Sequence, residues 1–258
     1  MCELFAPYAL LLEDHLVERD LPDGGLVSAF RYREALADPR TAERLDVQSR
    51  RLRRFDPSRI DTKEYAIAFW LNAYNYFMIA HILENPEPDG GFVESVRDYG
   101  SFFDPYRVFG RERFEVGGRR YSLDEIEKEI LLGEEYAERG WKEARVHFAV
   151  NCASVGCPPL RRQIFTPDTV DATLTENTRR ALRTSRHLRV EDGTLHLTEL
   201  FDWYEDDYLE EADSVREWLA RYADPELQDR IRQTTETEFI DYDWDLNEPR
   251  NFPELNGG

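Results

Sequence analysis

Hydrophobic and polar positions fall into helical periods over most of this chain and into strand-like alternation over short stretches. Residues 3–19 predict a first helix, with Leu4, Ala9, Leu11, Leu12, Leu16 and Val17 as its apolar content and Pro22, Gly24 and Gly25 ending it. Two shorter helices are expected over 26–37 and 41–54. The strongest helical pattern is residues 61–84, where Asp61 or Thr62 supplies a cap and Pro86 lies just beyond the end. Its apolar residues run almost all round, so it is expected to be the buried central helix. Glu64, Ala68, Asn72 and Asn75 align along one stripe of it. Buried amides need partners, so the two asparagines either hold neighbouring loops or line a pocket. His81, on the opposite side, reads as a structural histidine.

The second half mixes helix and strand. Residues 92–99 suggest a short helix, and Gly117–Gly118 turns a hairpin. Ser122 and Glu125 form a capping box that opens a helix over 123–132. Residues 145–150 alternate and are rich in strand formers, which predicts a strand. A helix follows over 167–183, with Pro167 in its first turn. Asp192–Gly193 turns a second hairpin, with Leu188 and Val190 on one face and Leu195 and Leu197 to match. Helices over 199–211, 214–222 and 226–235 precede an extended tail from 238. With no internal repeat or clean linker, the pattern gives one helix-rich α+β domain with a small, mainly antiparallel sheet.

Composition sharpens this picture. The chain has 258 residues, 41% of them hydrophobic and 13% aromatic, enough to bury a substantial core. Its formal net charge is −20, and only Lys63, Lys128 and Lys142 are lysines. So acidic a surface repels nucleic acid and anionic membrane. The arginine cluster Arg50, Arg51, Arg53 and Arg54 is therefore read as an internal salt-bridging surface. No run of 18 apolar residues predicts a transmembrane helix. The N-terminus lacks the basic leader and cleavage site of a signal peptide; Cys2 would fit a trimmed lipoprotein but reads more simply as a surface cysteine. Localisation stays open between cytoplasmic and exported.

Candidate chemistry concentrates in residues 145–160, RVHFAVNCASVGCPPL. Strand residues run into Asn151-Cys152, then a tight loop with Gly156 and Cys157-Pro158-Pro159. Three readings compete. Cys152 is a nucleophile with His147, or else His187 or His196, as its proton carrier; on a straight strand His147 and Cys152 would face opposite ways, so the turn must bring them together. Alternatively His147, Cys152 and Cys157 ligate zinc, although the spacing is unlike known zinc motifs. Or the loop is structural, with Cys152 and Cys157 paired or packed, Asn151 satisfying backbone groups and His147 a core histidine. Elsewhere, Glu205, Asp206, Asp207, Glu210 and Glu211 read as a solvated face, and Asp241, Asp243 and Asp245 lack the pattern of a calcium loop.

Five stretches together resemble a family found in bacteria and plants, the domain of unknown function numbered 547. They are AFWLNAYNYFMIAHIL at 68–83, YSLDEIE at 121–127, HFAVNCASVGCPPLR at 147–161, LFDWYEDDY at 200–208 and YDWDLN at 242–247. The resemblance covers roughly 60–247, leaving 1–59 as a helical lead-in and 248–258 as a tail. It implies recurrent polar positions at Asn72, Asn75, His147, Asn151, Cys152, Cys157, Trp203 and Asp207. Tyr208 and Asp245 stand where the family commonly has Phe and Ser, which weakens a catalytic role at 245. The family's helix-first layout is similar to papain-like and transglutaminase-like cysteine enzymes. No reaction or cofactor is implied, and bacterial relatives are often exported. The expectations are a cysteine hydrolase or acyl-transfer enzyme using Cys152, His147 and Asn151, with oxyanion donors from the 152–157 backbone; a non-catalytic binding or scaffold domain; or a thiol-redox module. Asn72, Asn75, Glu64, Cys157, Trp203 and Asp207 are expected to line the pocket or support it, with no metal, around a small-molecule or peptide ligand.

Overall fold

The helix Lys63–Glu84 is the axis on which the chain is assembled. Thr62 caps it by accepting the Tyr65 amide at 3.2 Å, and every residue from Ala66 to Leu83 is buried. It is long and apolar enough to cross a membrane, but its apolar window is wholly buried within the protein. The computed structural model describes residues 1–88, 91–111 and 114–256. Residues 112–113, just before the hairpin expected at Gly117–Gly118, and 257–258 of the tail lie outside these.

Around the axis pack the helices Ala6–His15 and Pro39–Arg53, whose Gln48 bonds the Tyr8 amide and the Leu4 carbonyl. Of the arginine cluster at the end of Pro39–Arg53, Arg50 pairs with Asp46 and Arg51 bonds the Glu3 carbonyl. Between these helices the expected pattern fails. Leu16–Asp20 (β1) and Leu26–Phe30 (β2) form an antiparallel hairpin where helix was predicted, and only Tyr32–Ala37 is helical. All five residues of β2 are buried, and a short continuous apolar run does not distinguish strand from helix. Phe114–Val116 (β3) and Arg119–Tyr121 (β4) make the expected hairpin at Gly117–Gly118. Leu188–Glu191 (β5) and Thr194–Thr198 (β6) make the second, with Asp192 and Gly193 both at positive φ (50° and 80°) as its tight turn requires. Glu236–Ile240 (β7) then adds parallel to β6. The fold is thus a helix-rich single α+β domain, with three small sheets in place of one among the described residues.

Two further segments bear on the site. The helix expected over 123–132 forms, with Ser122 accepting the Glu125 amide at 3.0 Å, and runs as a π-helix over Glu125–Leu131. The strand predicted at 145–150 is instead a 3₁₀ turn, Ala144–Phe148. Its apolar residues hold two periods at once. Val146, Ala149 and Val150 enter the central core at helical spacing, while Ala144 and Phe148 enter a second core around Trp218, Phe201 and Tyr208. Burial on both sides leaves no edge for a partner strand. The tail returns between loops, bridging Ser95 through Asp245 and Ser154 through Leu246. Gly156 permits that approach, since a Cβ there would lie 2.9 Å from the Tyr242 ring.

Candidate active site

Asparagines position the loop after the 3₁₀ turn. Asn75 on the central helix donates to the Ala149 carbonyl at 2.9 Å and accepts the Asn151 amide at 2.8 Å. Asn72 clamps both backbone groups of Phe165, at 2.8 and 2.9 Å. Asn151 donates to Pro158 O and accepts from the Ala153 amide and Asn247 Nδ2. Asn177 donates to the Phe148 and Pro159 carbonyls. Ala153, next to Cys152, is held at φ 63°, a conformation costing an L-residue about 1 kcal/mol or more. These clamps hold the Cys152 side chain where it packs against the edge of the central core and lines a cavity.

The loop floors a cavity of about 580 Å³ whose walls include Tyr74, Tyr106, Phe109, Tyr204, Tyr242 and Trp244. Trp203, 41% exposed, stacks on Trp244 at its rim. Both Cys152 and Cys157 line the cavity and both are free thiols; Cys152 is partly exposed and Cys157 buried. The Cys157 sulfur accepts the Cys152 amide at 2.9 Å and the Tyr242 hydroxyl at 3.2 Å, with Ser154 Oγ also at 3.2 Å. Cys152 Sγ lies 3.1 Å from Ser154 Oγ and 3.4 Å from the Tyr242 hydroxyl. Burial pushes the Cys157 thiol up, but hydrogen bonding from Cys152, Ser154 and Tyr242 outweighs it and brings the thiol down to about 7. Burial, followed by the Cys157 sulfur, pushes Cys152 up. Of the two, Cys157 is the more readily ionised.

Across the cavity floor His147 is oriented by Asp207, with Nε2 2.7 Å from Oδ2. Burial raises Asp207, yet hydrogen bonds from His147 and Lys142 hold it below the ordinary carboxyl value. The carboxylate accepts from Nε2–H, so in the neutral ring the lone pair lies on Nδ1. Nδ1 is buried without a hydrogen-bond partner and lies 4.0 Å from Glu127 Oε1, too far for a direct bond. The Tyr204 ring stacks on the imidazole, centroids 4.0 Å apart. Glu127 projects from the π-helix, and burial raises its carboxyl, which the Tyr74 and Tyr204 hydroxyls meet.

The structure therefore gathers His147, Cys152, Cys157 and Trp203 at one cavity, with Asp207 behind His147 and Asn72, Asn75 and Asn151 behind the loop. Glu64 is exposed on the first turn of its helix and belongs to neither group. No hydrogen bond among the described residues joins either sulfur to a histidine nitrogen. His187 lies beneath the loop, bonded to Thr184 Oγ1 at 2.7 Å, and His196 on β6 faces Glu238 on β7. Of the expected backbone oxyanion donors, the amides of Cys152, Ala153, Val155, Gly156 and Cys157 have acceptors. Ligand atoms of His147, Cys152 and Cys157 do not converge as a zinc site would need. Among the described residues the group close enough to hold an ion is Asp14, His15 and Asp38, whose carboxylates already pair with Arg40 and Arg44. Sequence reasoning missed Glu127, Tyr204 and Tyr242, although each lies inside a stretch that resembles the family.

His187 makes the loop's footing pH-sensitive. Burial first, then the Arg186 charge, lower it from 6.5 to about 3, so the folded protein holds it neutral. The unfolded chain takes up that proton first, so stability is lost as pH falls below 6.5. Urea unfolding at neutral pH and at about pH 5 should differ by about 2 kcal/mol from this group, a difference that His187→Gln removes. An equal acid dependence in the variant would contradict the assignment.

The chain has no significant match among curated proteins or among solved structures. Residues 57–181, which hold the central helix, Glu127, His147 and both cavity cysteines, match the family described as protein of unknown function, DUF547.

Proposed function

We propose that the protein is a thiol-dependent hydrolase or acyl-transfer enzyme, with Cys152 as nucleophile. One observation carries the proposal: the partly exposed Cys152 and the ionisable Cys157 share the floor of an aromatic-walled cavity with an oriented His147–Asp207 pair. The Cys157 thiolate takes the Cys152 proton as Cys152 Sγ attacks a carbonyl carbon and the carbonyl π electrons move to oxygen. Protonation frees the Tyr242 hydroxyl from Cys157, so it donates to the oxyanion in place of the engaged backbone amides. Collapse expels the leaving group, which takes the proton from Cys157, and leaves a thioester on Cys152. His147 Nδ1 then removes a proton from water or another acceptor as it attacks, Cys152 departs as thiolate, and the imidazolium returns that proton through solvent to the cysteine pair, which restores one thiol and one thiolate. Asp207 stabilises the resulting imidazolium. The aromatic walls favour a small-molecule or peptide substrate with an apolar or aromatic body. The functional unit extends over 60–247, past the matched stretch, because Trp203, Tyr204, Asp207 and Tyr242 complete the site; residues 1–59 buttress the central helix.

Turnover of a panel of aryl esters and thioesters tests this. Wild-type protein should turn over at least one, and Cys152→Ser should fall to background. The rate should rise as pH passes about 7, where the cysteine pair ionises among Tyr242, Tyr204, Tyr74, Glu127, His147 and His187. The engaged backbone amides favour a second reading, a binding pocket without turnover. Tight binding of an aryl ligand by both proteins, with no ester cleaved by either, would establish that alternative.

A further inference from the structure

Cys152 and Cys157 are closer partners than the acyl-transfer chemistry requires. Both sulfurs contact the same two hydroxyl groups, Ser154 Oγ at 3.1 and 3.2 Å and Tyr242 OH at 3.4 and 3.2 Å. The Cys152 amide donates to the Cys157 sulfur at 2.9 Å, and the Cys157 amide returns to the Ser154 carbonyl at 3.2 Å. The loop between them is therefore already closed, and joining the sulfurs asks little of the backbone. Both open onto a cavity large enough for a small oxidant. The third cysteine, Cys2, is exposed and free.

We infer that Cys152 and Cys157 form a reversible disulfide site, oxidised by a hydroperoxide that enters the cavity and reduced by a dithiol. The Cys157 thiolate attacks the terminal peroxide oxygen. The O–O bond breaks, a sulfenic acid forms on Cys157 and the hydroxide or alkoxide leaves. Sulfur is oxidised by two electrons and the peroxide reduced by two. Cys152 then attacks the sulfenic sulfur; the S–S bond forms, the S–O bond breaks, and hydroxide leaves with the Cys152 proton as water. The step uses the sulfurs of the proposed active site but does not depend on acyl transfer occurring there. If it does occur, oxidation removes the nucleophile and closes the site reversibly.

The reduced full-length protein should be treated with hydrogen peroxide, alkylated and digested with trypsin. The peptide spanning 146–161 holds both cysteines. It should appear lighter by two hydrogens, unalkylated, and return to the doubly alkylated form after dithiothreitol. Cys152→Ser should instead give a Cys157 sulfenic acid trapped by dimedone. Tyr242→Phe, which keeps the ring and removes one donor, should slow oxidation several-fold. Cys152 and Cys157 both alkylated under conditions that oxidise Cys2 would overturn the inference. So would a sulfinic acid on either residue, or linkage to Cys2 of another molecule, as the main product. Ester turnover is scored on the same samples. Turnover without the internal disulfide overturns only this inference. The disulfide without turnover counts only against the acyl-transfer proposal.

Discussion

Replacing Asn151 with alanine should destabilise the protein by about 3–9 kcal/mol, since it strands three buried groups at about 1–3 kcal/mol each. The Pro158 carbonyl loses its donor, and the Ala153 amide and Asn247 Nδ2 lose their acceptor. None of the three has a route to water without opening the loop. Asn151→Asp keeps the acceptor but removes the donor and buries a charge, so it should also destabilise. Urea unfolding measures both. A loss below about 1 kcal/mol for the alanine variant would mean that the loop does not depend on this amide. The loss should also exceed that of Trp203→Ala, because Trp203 lies on the rim and is 41% exposed.

Asp207→Asn should lower kcat on any ester the protein turns over by about 10²–10⁴-fold, the range that general-base catalysis supplies. Asparagine is nearly isosteric, but its amide can donate to Nε2. The imidazole proton then moves to Nδ1, the nitrogen that must accept a proton from the attacking acceptor. Asp207 does not line the cavity, so KM should change little. Lys142, left with Glu210 as its remaining partner, gives the change a structural component. A Lys142→Met control separates that part, since it leaves the His147–Asp207 bond in place. An unchanged kcat in Asp207→Asn would remove His147 from the mechanism.

Much of this was legible in the chain itself, for physical reasons that differ by element. The central helix carried its cap at Thr62 and an all-round apolar surface, and both hairpins in the second half carried turn residues that few other structures use. β2 was hidden because a fully buried strand has no polar face to alternate with, and the partly exposed β1 because its Leu16 and Val17 continue the apolar spacing of the first helix. The 145–150 segment misled for the opposite reason: a real alternation overlay a helical spacing, and burial between two cores selected the helix. Cys152, Cys157 and His147 could be singled out as chemistry-bearing residues on one loop. Their partners could not be ranked. Asp207 sits among five acidic residues in a stretch that reads as a solvated face, and only tertiary packing turns one of them toward His147. The Cys157 thiolate depends on Tyr242, which is 85 residues away in sequence. Such long-range hydrogen bonding leaves no local pattern.

The central claim is that Cys152 accepts an acyl group at the floor of the aromatic cavity. The most direct measurement is intact and peptide mass spectrometry of the reduced protein, quenched in acid during reaction with an activated aryl ester. The account predicts one acyl group per chain, located on Cys152 within the 146–161 peptide, chased off by water or an amine, and absent from Cys152→Ser. Acylation confined to Cys2, or no acyl adduct on Cys152 while ester is being consumed, would contradict it.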